Sequence, residues 1–211
     1  MEVLLMKRAI FSSLALVSLA WSGAALAWFD VEAVYGTRWT SSETGSADPV
    51  KDDANDFTVA AHMSPVPLLP VSAGLSASMI TFDKDETNDP DVTGTELGLD
   101  IKAWLPMVPV VTPYARVRYL VWSTYAATGT MSLPTGDIDY AMAYTNSGYQ
   151  YGVGVRYPVV PLVGLKIETN MGASTLTPES MTMDDEDISV SDSDPTEVSF
   201  SSVLVGIDIS I

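Results

Sequence analysis

The chain closes on Ser202-Val203-Leu204-Val205-Gly206-Ile207-Asp208-Ile209-Ser210-Ile211. Val203, Val205, Ile207, Ile209 and Ile211 fall on every second position, and small, polar or charged residues fall between most of them. A period of two is the period of a strand, whose successive side chains point to opposite faces. Branched side chains at Cβ favour the same conformation. One face of this stretch is therefore apolar, and the other carries Gly206, Asp208 and Ser210.

Working back along the chain, the same alternation recurs. Apolar stripes run through Phe57, Val59, Ala61 and Met63; Leu97, Leu99, Ile101, Ala103 and Leu105; Tyr149, Tyr151, Val153, Val155 and Tyr157; and Leu165, Ile167 and Met171. Residues 29–40, 71–82 and 114–125 complete eight segments. Each is about ten residues long, the length a tilted strand needs to cross a bilayer. No sustained helical periodicity interrupts them, and the longest apolar runs, 103–111 and 157–165, each contain two prolines that would break a helix. Insertion into a membrane would have to be by a closed barrel, which leaves no backbone group unpaired in lipid.

The joints between segments are of two kinds. Residues 64–70, 106–109 and 158–162 are short and proline-rich, whereas 42–55, 83–93, 126–146 and 175–197 are long and polar. Tight turns at one rim and long loops at the other belong to an up-and-down barrel with periplasmic termini and extracellular loops.

Charge placement is the sharpest signal. Arg38, Lys102, Arg116, Arg118, Arg156 and Lys166 all lie on the face opposite the apolar stripe, and Asp30, Glu32, Glu96, Asp100, Glu168 and Asp208 share it. An eight-stranded barrel is just wide enough inside to be filled by side chains, and buried charges need partners. These twelve residues are expected to form an interior ion-pair network, with Arg116 and Arg118 facing Glu96 and Asp100 across one hairpin. Gly36, Gly74, Gly98, Gly152, Gly154, Gly172 and Gly206 on that face would leave room for them. Trp28, Phe29, Trp39, Phe57, Phe82, Trp104, Tyr114, Tyr125, Tyr149 and Tyr157 are expected to form interfacial girdles. A soluble β-sandwich or lipocalin-like domain in the periplasm shows the same alternation with the apolar face as its core.

At the other terminus, Lys7 and Arg8 precede an apolar stretch, residues 9–21, and Ala25-Leu26-Ala27 follows. This reads as a cleaved signal peptide over residues 1–27, with the barrel occupying 28–211 and Met6 as an alternative initiator. The apolar stretch falls short of the ~20 residues of a membrane-spanning helix. Cysteine is absent, which excludes disulfides and thiolate chemistry. The net charge of −17 argues against nucleic acid as a partner.

The signal peptide, the eight alternating segments, the Ser64-Pro65-Val66-Pro67-Leu68-Leu69-Pro70 turn and the final strand together resemble small outer-membrane β-barrel proteins of Gram-negative bacteria. The turn is similar to one in a poorly characterised gammaproteobacterial group of such barrels. The resemblance implies an all-β transmembrane antiparallel up-and-down barrel of eight strands in the cell outer membrane, contacting its lipids. It also implies that the barrel-assembly machinery reads Val203, Val205, Ile207, Ile209 and Ile211 as the assembly signal. Strands of this kind usually end in Phe or Trp, and this one ends in Ile211.

Chemistry is sparse. His62, the single histidine, shares a face with Ser64, a pairing similar to that of barrel lipid A deacylases; but it lies near the periplasmic rim, away from outer-leaflet lipid, and a structural role is expected. No catalytic residues and no cofactor are expected, and lipid modification is the remoter alternative. The loop acids Asp83, Asp85, Asp89, Asp184, Asp185 and Asp187 are weak candidates for divalent cations, though their spacing fits no EF-hand. The expected role is structural or one of surface interaction in the envelope, with a narrow pore for small solutes as the alternative.

Overall fold

The computed structural model describes residues 29–43, 50–64, 69–84, 90–105, 110–133, 136–184, 186–190 and 195–210. Residues 1–27, read from the sequence as a signal peptide, Trp28, Ile211 and the turn prolines Pro65, Pro67, Pro106 and Pro109 lie outside them. The described chain is all-β: β1 Phe29–Glu43, β2 Val50–Met63, β3 Val71–Phe82, β4 Asp91–Trp104, β5 Thr112–Leu133, β6 Gly136–Val160, β7 Val163–Met183, β8 Glu186–Ile188 and β9 Thr196–Ser210. Every strand from β2 to β7 pairs antiparallel with its predecessor, β9 pairs with β7, and β1 pairs with β9. The last pairing closes an eight-stranded barrel, with Asp30 opposite Ser210 and Val31 opposite Ile209. The three-residue β8 is a ninth strand that pairs with β7 alone, outside the ring.

In the long polar joints most of the described residues continue the strands. β5, β6 and β7 run for 22, 25 and 21 residues, about twice what a tilted strand needs to span a bilayer. Residues 126–133 and 136–146 therefore continue β5 and β6, paired from Ala126↔Ala143 out to Leu133↔Gly136. Likewise β1 reaches Glu43, β2 begins at Val50, β4 at Asp91, and β7 continues to Met183. Polar side chains do not end a strand when the backbone ladder can continue into water. At the opposite rim the third proline-rich joint is shorter than expected: β6 extends through Val160, leaving only Pro161 and Leu162 as the turn.

Side chains sort by face. Val31, Val59, Leu75, Leu99, Ile101, Val117, Val153, Ile167, Val205 and Ile207 point outward and are exposed, so an apolar belt runs over all eight strands of the ring. Inside are charged residues, serines and glycines. One irregularity changes the pattern. Leu97 pairs with Trp122 but Gly98 pairs with Leu120, which leaves Val121 as a bulge. Val121 and Trp122 both face outward, and beyond them the odd positions Ser123 and Tyr125 turn inward. A bulge adds one residue to one strand and so inverts the alternation after it.

The girdle expectation is corrected accordingly. Phe29, Trp39, Phe57, Tyr149 and Tyr157 are exposed on the exterior, but Tyr114 and Tyr125 are buried inside, and Phe82 and Trp104 are only partly exposed. Tyr114 shares its parity with Arg116 and Arg118, and Tyr125 follows the bulge.

Ile207, 47% exposed toward the Ser210 end of β9, tests the outward face. A spin label on Ile207→Cys in the lipid-reconstituted protein is expected to be relaxed by dissolved oxygen and shielded from an aqueous relaxant. A label on Ser199→Cys should be more open to the aqueous reagent. Inaccessibility of the position 207 label to both reagents would place it in a protein core instead.

Candidate functional site

The interior is built largely from even-numbered positions of successive strands, and all twelve charged residues singled out from the sequence are buried there. Glu32 is the hub of a network near the chain termini. Its Oε2 accepts from Lys102 Nζ at 2.5 Å and from Lys166 Nζ, and its Oε1 accepts from Arg116 Nη1 at 2.5 Å. Arg116 Nη2 also donates to Glu168, whose other oxygen accepts from the Tyr114 hydroxyl at 2.7 Å. Lys102 donates further to Asp30 at 2.9 Å. At the rim, Arg156 Nε meets Asp208 at 2.6 Å.

A second layer joins Arg118 Nε to Asp100 Oδ1 at 2.9 Å, with Ser76 donating to the same oxygen. His62 lies between carboxylates, Nε2 3.3 Å from Asp100 and Nδ1 3.7 Å from Asp30. The third layer centres on Arg38, which is clamped by Asp56 at 2.7 Å and Glu96 at 2.9 Å while the Phe200 ring lies 4.5 Å from its guanidinium carbon. Tyr125 and Gln150 complete Glu96 at 2.6 and 3.2 Å. Above it, Ala54, Ile80 and Tyr125 pack with Phe82, Tyr144 and Leu176 into an apolar cap.

Two pairings differ from the expectation. Arg118 and Asp100 do meet across the β4–β5 hairpin, as direct register partners. Glu96, however, is taken by Arg38 across the barrel, and Arg116 bonds Glu32 and Glu168, with Asp100 at 3.8 Å. Asp56 was missed: the stripe begun at Phe57 stops one residue short of it, though it shares parity with Thr58 and His62. Tyr114, Tyr125 and Gln150 are further interior partners that polarity alone did not flag. With Asp56 the described interior holds seven carboxylates against six Lys and Arg, beside His62.

Asp30, Glu32 and His62 bring donor atoms within 4.8 Å of one another. The Lys102 ammonium already bridges both carboxylates, so a cation occupies that place within the chain itself. Among the described residues the loop acids form no such group. The Asp83 carboxylate accepts from Asn55, Asp184 accepts the Asp139 backbone N–H and Asp187 is exposed; Asp85, Asp89 and Asp185 lie outside the described residues. Ser64 is partly exposed beside the buried His62, and no bond between the two is seen.

Truncating one partner of a buried pair costs about 3 to 5 kcal/mol, because the other charge is left uncompensated. Arg116→Ala removes the donor from Glu32 Oε1 and from Glu168 Oε1 at once and is expected to lower the urea midpoint strongly. Lys84→Ala breaks only the half-exposed pair with Asp91 and should cost under about 1 kcal/mol. Equal effects in equilibrium unfolding would mean that Arg116 is not held in a dry interior.

No protein-family model matches the chain, and no curated protein matches its sequence. Solved structures do match in fold. Neisserial surface protein A superposes with a TM-score of 0.53 over 87% of this chain and 97% of its own, at 14% identity. A major outer membrane protein from Thermus thermophilus gives 0.50 over 85% and 99%, at 16% identity. The fold is that of the small outer-membrane β-barrels.

Proposed function

We propose that the chain is an integral outer-membrane barrel, filled by its own ion pairs, that serves the envelope as a structural or surface-contact element. The observation that carries this reading is the inversion of faces. A soluble monomer rarely exposes a contiguous apolar patch beyond a few hundred Å², whereas here an apolar belt runs over all eight strands and the charges are inside. A lipocalin-like domain requires the reverse.

The two rims support one orientation. One has the two-residue Pro161-Leu162 turn and the chain ends; the other carries the extended β5–β6 and β7–β8 hairpins with Asp137, Asp139, Asp184 and Glu186. Short turns belong on the periplasmic side and long connections outside. The projecting, acidic rim is then the surface offered to the cell's surroundings, and the export signal of residues 1–27 delivers the chain to the periplasm. The three charge layers and the apolar cap favour a filled barrel over a solute pore.

The protein should fractionate with outer membranes and run with different mobility in unboiled and boiled samples. Recovery from the soluble periplasmic fraction with unchanged mobility would overturn the reading. In planar bilayers the folded protein is expected to give no unitary conductance steps; reproducible steps would favour the pore.

A further inference from the structure

Beyond the apolar belt, β5, β6, β7 and β8 continue as a four-stranded sheet. One face of it prolongs the apolar cap, since Tyr144, which packs in the cap, shares its face of β6 with Met142 and Tyr140 at alternate positions. Met142 stands directly opposite Met181 on β7, and Met183, two residues on, stands opposite Tyr140. Cross-strand partners share a face, as do residues two apart on one strand. Three methionines therefore gather on one side of the sheet. Opposed Cβ atoms lie about 4.5–5.5 Å apart and diagonal positions about 7–8 Å, spans that long flexible thioether side chains can close. All three are partly exposed. The Tyr144 hydroxyl donates to Met142 Sδ at 3.4 Å, which leaves that sulfur a second lone pair. Glu186, opposite Met183 on β8, adds an exposed carboxylate.

Among the described residues no other methionine has a methionine as register partner. Met63, Met79, Met131 and Met171 stand opposite aromatic, aliphatic or hydroxylated side chains. A strand position that needs only apolar surface is well served by Val or Ile, as on the belt. What a thioether adds is a soft sulfur donor, and with no cysteine in the chain it is the only sulfur donor available. We propose that Met142, Met181 and Met183 form a binding site for the soft monovalent cation Cu(I). Thioether ligands select Cu(I) over divalent cations that prefer oxygen. They are neutral and carry no proton to be displaced. The charge of the cation is met by Glu186 and by the field of Asp137, Asp139 and Asp184 at the same tip. The site draws on none of the interior ion pairs, and it holds whichever rim faces the cell's surroundings.

The test uses the folded full-length barrel in detergent, in nitrate buffer free of chloride and thiols, with Ag(I) as a redox-inert probe of the same softness. Equilibrium dialysis is expected to show one Ag(I) per chain, retained against excess Ca(II) and displaced by Cu(I) kept reduced under nitrogen. Met142→Leu with Met181→Leu keeps the face apolar and should weaken Ag(I) binding by more than about 100-fold, since even the partners of a metal ligand contribute roughly 10- to 100-fold. Met79→Leu, on the belt, should change nothing. No retained Ag(I), retention that survives the double variant, or displacement by Ca(II) overturns the proposal, the last by assigning the metal to carboxylates. Failure of Cu(I) to displace Ag(I) overturns it as well. Should the double variant fail to fold, the wild-type barrel labelled with 13C at the methionine methyls gives a second reading. On adding Ag(I) the resonances of Met142, Met181 and Met183, assigned through single Leu variants, should move while those of Met63, Met79 and Met171 stay. Movement of the second set, or of none, overturns the proposal.

Discussion

A charge removed from water must be met by an opposite charge or by hydrogen bonds, and the rest of this barrel is arranged around that demand. Its clearest expression is Glu32 on β1, which takes Lys102 from β4, Arg116 from β5 and Lys166 from β7. None of these strands is a neighbour of β1, whose ladder partners are β2 and β9. Backbone hydrogen bonds hold the ring edge to edge, and ion pairs brace it across its diameter. Buried ion pairs are weak contributors to net stability, since desolvation offsets much of their attraction. Their use here is specificity. A one-residue slip in register exchanges the faces of a strand and would set lysines and arginines in lipid, at roughly 2 to 4 kcal/mol each near the midplane. A barrel apolar on both faces would lack that discrimination.

The interior is also a problem of volume. Many of its long side chains stand opposite a glycine on an adjacent strand: Arg116 faces Gly152, Lys166 faces Gly206, and Asp100 and His62 both face Gly74. Tyr114 and Glu168 lie on either side of Gly154, where an added Cβ would come within 2.5 Å of the Tyr114 ring and 2.7 Å of a backbone oxygen. At Gly98 it would meet the Arg118 stem at 2.6 Å. Charge complementarity decides which residues pair, and the glycines decide whether the pairs fit inside a ring of fixed circumference.

The alternation that makes the final strand readable as a strand makes most of the ring readable too, because the bilayer imposes the same period on every spanning segment. What the sequence conceals follows from the places where that period is broken or ceases to matter. Val121 is the first kind: an extra residue inverts the faces beyond it, so Tyr125 looks like part of a girdle and is in fact a buried donor to Glu96. Residues 126–133 and 136–146 are the second kind, since outside the bilayer polar side chains are tolerated on both faces and the strand loses its signature while keeping its ladder. Pair identity is harder still. Arg118–Asp100 is legible because the two are register neighbours on one hairpin, but Arg38–Glu96 and Glu32–Lys166 are separated by 58 and 134 residues and meet only because the sheet closes.

Closure therefore separates two kinds of constraint on the same strand. Outward positions within the belt answer to a bulk solvent, the acyl chains, which asks only for apolar surface and accepts Val, Ile, Leu or Met alike. Inward positions answer to particular atoms a few ångströms away, and there Arg cannot be exchanged for Leu, nor Gly for Ala. Beyond the belt both demands lapse, because water satisfies polar groups on the outside and the apolar cap of Ala54, Ile80 and Tyr125 already tops the interior. Side chains in that zone are chosen by neither lipid nor core.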